Sequence, residues 1–203
     1  MMKRIFLIAI VMGAAMAAHA QDFYHRPSFL AGRTLLTLSL FEEVQTEIKM
    51  TPDEITKSND LLAKMTGEVQ DAFQNGGGDF TAMRPIIEKI NVKYDDQLTA
   101  GLTADQNTRL KQLFIQYNGG GAIANQTVEK DLALTDDQKA KVKAAQEDNF
   151  TKMTAQFSGG APDPDAMKKL QDDLGTALAK ILTDDQKTKF QAMQGTKFEF
   201  KKV

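Results

Sequence analysis

The sequence predicts an all-α protein: two tandem helical-hairpin repeats packed as a pseudo-twofold single-chain bundle, after a cleaved signal peptide. Three observations lead there. One short phrase (apolar, Thr, any residue, Asp, then Gln or Glu) occurs four times, at Met50–Glu54, Leu102–Gln106, Leu134–Gln138 and Leu182–Gln186. The apolar residues between copies recur in steps of three and four, the period of a helix. The 203 residues include no Cys and no Trp, and Gly and Pro cluster between segments, as in helical proteins.

Adding 84 to a residue number in the first half finds its partner in the second. Val44 meets Val128, Thr51 meets Thr135, Phe73 meets Phe157 and Met83 meets Met167. By the later phrases the offset is 80, so Leu102 meets Leu182 and Thr103 meets Thr183. The second copy has therefore lost four residues inside its second long segment. Four residues are about one helical turn and rotate the buried face by only about 40° beyond a full circle. A helix absorbs that loss; the indel length itself argues for one.

Each phrase reads as a helix start. Thr followed three residues later by Gln or Glu is a capping box: the hydroxyl accepts from the third helical N–H, and the longer side chain reaches back to the Thr N–H. Asp in the first turn complements the helix dipole, and Pro52 stands where its missing N–H matters least. Thr51, Glu54, Thr103, Gln106, Thr135, Gln138, Thr183 and Gln186 are thus expected to cap helices rather than to bind a ligand.

Taken in order, residues 1–20 read as a signal peptide. Lys3 and Arg4 precede an apolar run from Ile5 to Met16, too short to span a membrane. Ala18-His19-Ala20 supplies a small-x-small cleavage site before Gln21. No Cys follows, so no lipid anchor is expected, and export to the periplasm or beyond is. The 25 basic and 27 acidic residues lose Lys3 and Arg4 with that segment, leaving a net charge of about −4. That balance argues against nucleic-acid binding, which uses a basic stripe. No later run is apolar enough for stable membrane insertion.

Residues 21–34 form an expected flexible lead-in. The first repeat is read as 35–121 and the second as 122–203. An apolar segment from Leu35 to Phe41 leads into a short helix near Glu42–Lys49, with Ser39 and Glu42 as its capping box. Its counterpart is near Gln126–Ala133, with Asn125 as cap. Long helices follow over 52–73 and 136–157, then over 80–99 and 164–181. In the first of these, Ile55, Leu62, Met65, Val69 and Phe73 share one face. Asp163-Pro164 is a cap followed by a first-turn proline. Closing helices run over 104–117 and 184–194, stopped by Gly119-Gly120-Gly121 and by Gly195. The tail Lys197-Phe198-Glu199-Phe200 alternates, as a single extended segment would.

A search for chemistry finds little. His25 is the one His beyond the signal segment, which cannot build a transition-metal site without Cys. No Ser/His/Asp set and no phosphate loop can be assembled. The adjacent acids Asp95-Asp96, Asp136-Asp137, Asp172-Asp173 and Asp184-Asp185 point about 100° apart on a helix and do not converge. They read as solvated faces or helix starts, with weak calcium binding as the alternative. No enzyme activity and no cofactor are expected. Met65, Met83, Met153 and Met167 lie on predicted core stripes. Core packing is the plain reading; an adaptable client-binding surface is the sharper one.

Leu134-Thr135-Asp136-Asp137-Gln138-Lys139 opens a long helix, and Leu182-Thr183-Asp184-Asp185-Gln186-Lys187 opens the closing one. This pattern resembles the LTxxQ-motif proteins of the Spy/CpxP type, small helical proteins of the bacterial periplasm. The lead-ins Val44–Thr51 and Val128–Thr135 resemble tandem-duplicated versions among planctomycete exported proteins. The resemblance covers residues 40 to 200. It implies an ATP-independent chaperone or envelope-stress role, with unfolded or partly folded proteins, or an envelope-stress sensor protein, as partners. In that family the working unit is a cradle-shaped dimer, so the duplication implies a monomeric pseudo-dimer here. The first copy departs from the pattern in carrying Glu54 where the family has Gln. The alternative is an envelope structural or interaction protein with one dedicated partner.

Overall fold

Threonine caps and glycine stops divide the chain into helices. The computed structural model describes residues 33–75, 80–156 and 163–201. The expected signal segment with Ala18, Ala20 and Gln21, most of the lead-in, His25, Phe157 and the Gly-rich breaks between the long helices lie outside the described residues. The helices are α1 (Leu35–Ser39), α2 (Glu42–Glu47), α3 (Pro52–Asn75), α4 (Phe80–Ala100) and α5 (Ala104–Asn118), then a 3-10 helix (Gly119–Ala124), α6 (Gln126–Asp131), α7 (Asp136–Gln156), α8 (Pro164–Ile181) and α9 (Asp184–Ala192). No strand occurs among the described residues, so the all-α expectation holds for them.

Arg33–Leu110, with Phe200 and Lys201, cluster as one compact unit, and Lys111–Glu199 as another. The division falls inside α5. In the first unit α3 packs on α4 and α1 packs on both; in the second, α7 packs on α8 and the 3-10 helix lies against α8. The duplication is visible in burial. Val44 and Val128 are both fully buried, Ile48 matches Leu132, Ser58 matches Val142, and Leu98 matches Leu178. Each fully buried aliphatic side chain contributes about 1.5–3 kcal/mol over an exposed one.

Three expectations are corrected. The short apolar run before α2, read as an apolar segment leading into it, itself forms the helix α1 over Leu35–Ser39. Its capping box is Thr34 with Thr37, and the Thr34 side chain accepts from the Thr37 N–H. Ser39 does not cap α2; its hydroxyl donates to the Leu36 carbonyl, and Phe41 holds the cap position without a side-chain bond. Asp95 is not on a solvated face: it is 7% exposed. The alternating tail packs rather than pairs: the Phe198 N–H donates to Gln116 Oε1 at 2.8 Å.

Among the described residues, two have a left-handed backbone without being glycine, Lys49 (φ 55) and Ala133 (φ 52). They are partners under the offset of 84. Each ends the turn after a short helix and turns the chain into the Thr of the next motif. A side chain in this region costs roughly 1–2 kcal/mol, so its presence in both copies marks a turn that the surrounding packing imposes.

Candidate functional site

All four capping boxes form. The Thr N–H groups donate to Glu54 Oε2 (2.7 Å), Gln106 Oε1 (2.8 Å), Gln138 Oε1 (3.0 Å) and Gln186 Oε1 (3.0 Å). The return bonds to the Thr hydroxyls measure 3.2–3.3 Å. Capping consumes only the oxygen of each glutamine. Its NH2 group is left over, and the fold uses it.

In each unit the two motifs meet. In the second, Gln138 Nε2 donates to Gln186 Oε1 at 2.6 Å, and Gln186 Nε2 donates back to Gln138 Oε1 at 3.0 Å. The remaining amide hydrogens reach the Ile181 carbonyl from Gln138 (3.0 Å) and the Leu132 carbonyl from Gln186 (3.2 Å). The pair thus clasps the starts of α7 and α9 to the end of α8 and the turn after α6. In the first unit Gln106 Nε2 donates to Glu54 Oε2 at 3.0 Å and to the Lys49 carbonyl at 3.3 Å. Glu54 has no hydrogen to return, so this clasp is one-sided. The Thr51 N–H, helped by the Gln106 amide, holds the Glu54 carboxyl below its ordinary range.

A second matched contact joins each short helix to α5. Glu47 pairs with Arg109 at 2.7 Å. Its partner under the offset of 84, Asp131, pairs with Lys111.

The two units dock their first short helix differently. In the first, Asp95 of α4 accepts from the Leu35 and Leu36 N–H groups at 3.1 and 2.9 Å, at the start of α1. Burial pushes its pKa up to about 6 despite these donors. In the second, Gly119 and Gly120 stand where Leu35 and Leu36 stand, and Gly175 stands where Asp95 stands under the offset of 80. There backbone meets backbone. A Cβ on Gly120 would lie 2.4 Å from the Gly175 carbonyl oxygen. The glycine run therefore stops α5, as expected, and also lets the chain close onto α8.

Of the candidate client-binding methionines, Met65 and Met83 are 7% and 0% exposed. Both are core residues of this fold and offer nothing to a partner. Met153 of α7 and Met167 of α8 are half-buried. In α7 and α8 the buried residues are Gln138, Val142, Gly175 and Leu178, all near the clasp. Beyond them Phe150, Met153, Met167, Leu170 and Leu174 stay partly open to solvent.

No family model, no curated protein and no solved structure matches the chain. Residue chemistry must carry the functional argument. Among the described residues no three His, Cys, Asp or Glu side chains converge to hold a metal, and no helix is long and apolar enough to cross a membrane. The clasps are amides turned toward backbone, an arrangement that holds helices in place. Glu68 is engaged by Lys93 and Tyr94, with the Lys93 ammonium 5.1 Å from the Tyr94 ring centre; this cluster at the edge of the core ties α3 to α4.

Sequence reasoning missed Asp95, Gln116 and the two left-handed turns. Asp95 had a signal: it adjoins Tyr94 and lies three residues before Leu98, at the border of the apolar stripe of α4. Lys49 and Ala133 had none, because neither residue type favours the conformation it adopts.

Proposed function

We propose that the protein is an exported, non-enzymatic helical binding protein of the periplasm. In this reading it is chaperone-like and holds partly unfolded polypeptide on the outer part of the α7–α8 hairpin. One observation carries the reading: an apolar stripe containing Met153 and Met167 remains half-open beyond the packed base of that hairpin. Thioether side chains adapt to irregular apolar partners, and apolar side chains left partly open on one hairpin offer such a partner a surface. The ion pairs Lys152–Asp148, Lys168–Asp172 and Lys169–Asp173 lie on the exposed sides of the same helices. They keep the hairpin hydrated without adding net charge, which suits varied clients. The resemblance to LTxxQ-motif proteins and the signal-like first twenty residues support the compartment.

The test is aggregation of a non-native client such as reduced α-lactalbumin. A near-stoichiometric amount of the chain slows light scattering, and Met153→Ser combined with Met167→Ser weakens protection severalfold while leaving helix content intact. No protection at either low or moderate salt rules the reading out. Copurification of a single stoichiometric partner, without client protection, marks instead an interaction protein with one dedicated partner.

A further inference from the structure

The C-terminal tail is held in an unusual way. Gln116, near the end of α5, donates from Nε2 to the Gln194 carbonyl at 2.6 Å and to the Thr196 carbonyl at 2.9 Å. Its Oε1 accepts from the Phe198 N–H at 2.8 Å. Thr196 C=O and Phe198 N–H flank Lys197. A residue of a neighbouring parallel strand would engage this same pair of groups, accepting from one and donating to the other. A single side-chain amide here imitates a strand neighbour.

The tail itself is non-helical, and its side chains alternate between exposed and half-buried. Lys197 and Glu199 are exposed and pair with each other at 3.3 Å on one side, while Phe198 and Phe200 are half-buried. The segment is launched by Gly195, whose φ of 62 strains any other residue and whose missing Cβ leaves room for the Gln112 side chain. A Cβ there would lie 2.2 Å from Gln112 Cδ. α9 already ends at Ala192, so the tail can leave without unwinding a helix. All three bonds from Gln116 go to main-chain groups, which any non-proline sequence would supply.

We infer that Gln116 and its surroundings form a polypeptide-binding seat that the chain's own tail fills in cis. Its partner chemistry is an extended segment with a free backbone N–H and C=O on one edge and an aromatic side chain on the residue whose N–H is bound. This rests on the binding-protein reading above and deepens it. The tail is then a built-in competitor, tethered at an effective concentration on the order of millimolar. A client segment reaches this second seat, apart from the α7–α8 stripe, only by displacing it. Main-chain bonds along an extended edge supply affinity and alternate side chains supply selectivity, as in other strand-addition modes.

The probe is a labelled free peptide of sequence Thr196–Val203, followed by anisotropy. With the full-length wild type it binds weakly. Phe198→Pro removes the N–H that Gln116 accepts and frees the tail in an otherwise full chain; the peptide then binds at least roughly tenfold tighter, as expected when a tethered competitor is removed. Adding Gln116→Ala to that chain abolishes the gain. A peptide N-methylated at the Phe198 nitrogen does not bind. Circular dichroism confirms unchanged helix content in each variant. If Phe198→Pro does not fold, the wild type still decides: excess peptide must speed hydrogen exchange at the Phe198 amide. Equal peptide affinity for wild type and Phe198→Pro, binding that survives Gln116→Ala, or no change in Phe198 exchange overturns the inference. Client protection that depends on Met153 and Met167 is read in a separate assay, so either reading can fail alone.

Discussion

Gln138 and Gln186 hydrogen-bond to each other twice, each amide donating to the other's oxygen, at 2.6 and 3.0 Å. Each oxygen also accepts a threonine N–H, and each NH2 also reaches a carbonyl. Gln138 is 8% exposed, so its bonds are shielded from water. Removing it strips a capping acceptor from the Thr135 N–H and a donor from the Ile181 carbonyl. Gln138→Ala is expected to destabilise the chain by about 2–4 kcal/mol, combining a lost cap with stranded polar groups. Urea unfolding reads this as a lower midpoint at unchanged slope. An unchanged midpoint would show the clasp to be ornamental.

The first unit replaces one of these glutamines by Glu54, whose carboxyl is held below the ordinary value of 4.5, chiefly by the Thr51 N–H. A depressed carboxyl contributes stability that is present above its unfolded value and lost as pH falls through its folded value. Glu54→Gln restores the amide pair. The variant is expected to match the wild type near neutrality and to lose less stability below about pH 4.5. Urea midpoints from pH 7 down to pH 3 check this, and parallel curves for the two proteins would refute it.

Asp95 works in the opposite direction. Its folded pKa is raised from 3.8 to about 6, so the folded state binds the extra proton. Its contribution is fully present below about pH 4 and is lost as pH rises through about 6. The swing is roughly 2–3 kcal/mol. Asp95→Asn removes this titration but replaces one of two accepting oxygens with an NH2 that faces a donor. The variant is expected to be less stable than wild type at pH 4 and to show a flatter profile between pH 4 and 6. Thermal unfolding across that window measures both.

The left-handed turn at Ala133, with φ 52, invites relief. Glycine adopts this conformation freely, at some entropic loss in the unfolded chain. Ala133→Gly is expected to stabilise by up to about 1 kcal/mol, and Ala133→Val to destabilise by more. Differential scanning calorimetry orders the three proteins, and a wild type more stable than the glycine variant would show the turn to be unstrained.

The three consecutive glycines make different demands. A Cβ on Gly120 meets Gly175 backbone at 2.4 Å, whereas one on Gly121 meets nothing within 4 Å. Overpacking against backbone that cannot rotate away costs about 1–3 kcal/mol or more. Gly120→Ala is therefore expected to lower the melting temperature markedly, and Gly121→Ala to leave it near wild type.

Helix starts were legible because capping writes residue identity into sequence. Asn125 and Asp163 cap α6 and α8 as read, and the predicted long-helix boundaries fall within two residues of the observed ones. What one residue does for a distant segment was not legible. The leftover NH2 of Gln106, Gln138 and Gln186 acts on backbone some fifty residues away in sequence, and Asp95 reaches back to α1. Such contacts depend on three-dimensional closure, which local periodicity does not encode. Met65, Met83, Met153 and Met167 all fall on predicted core stripes, yet only Met65 and Met83 are buried. Which of those faces other helices would cover was set by where α1 and the 3-10 helix settle.

Asp95 at the start of α1 and Gly175 against the 3-10 helix occupy the same station in two copies of one design. One is an ionisable clamp; the other is bare main chain with nothing to titrate. The molecule thus contains its own reference channel. Any response to acidity that reaches the first unit through Asp95 has a silent twin 80 residues further along the chain, against which it can be read within a single sample.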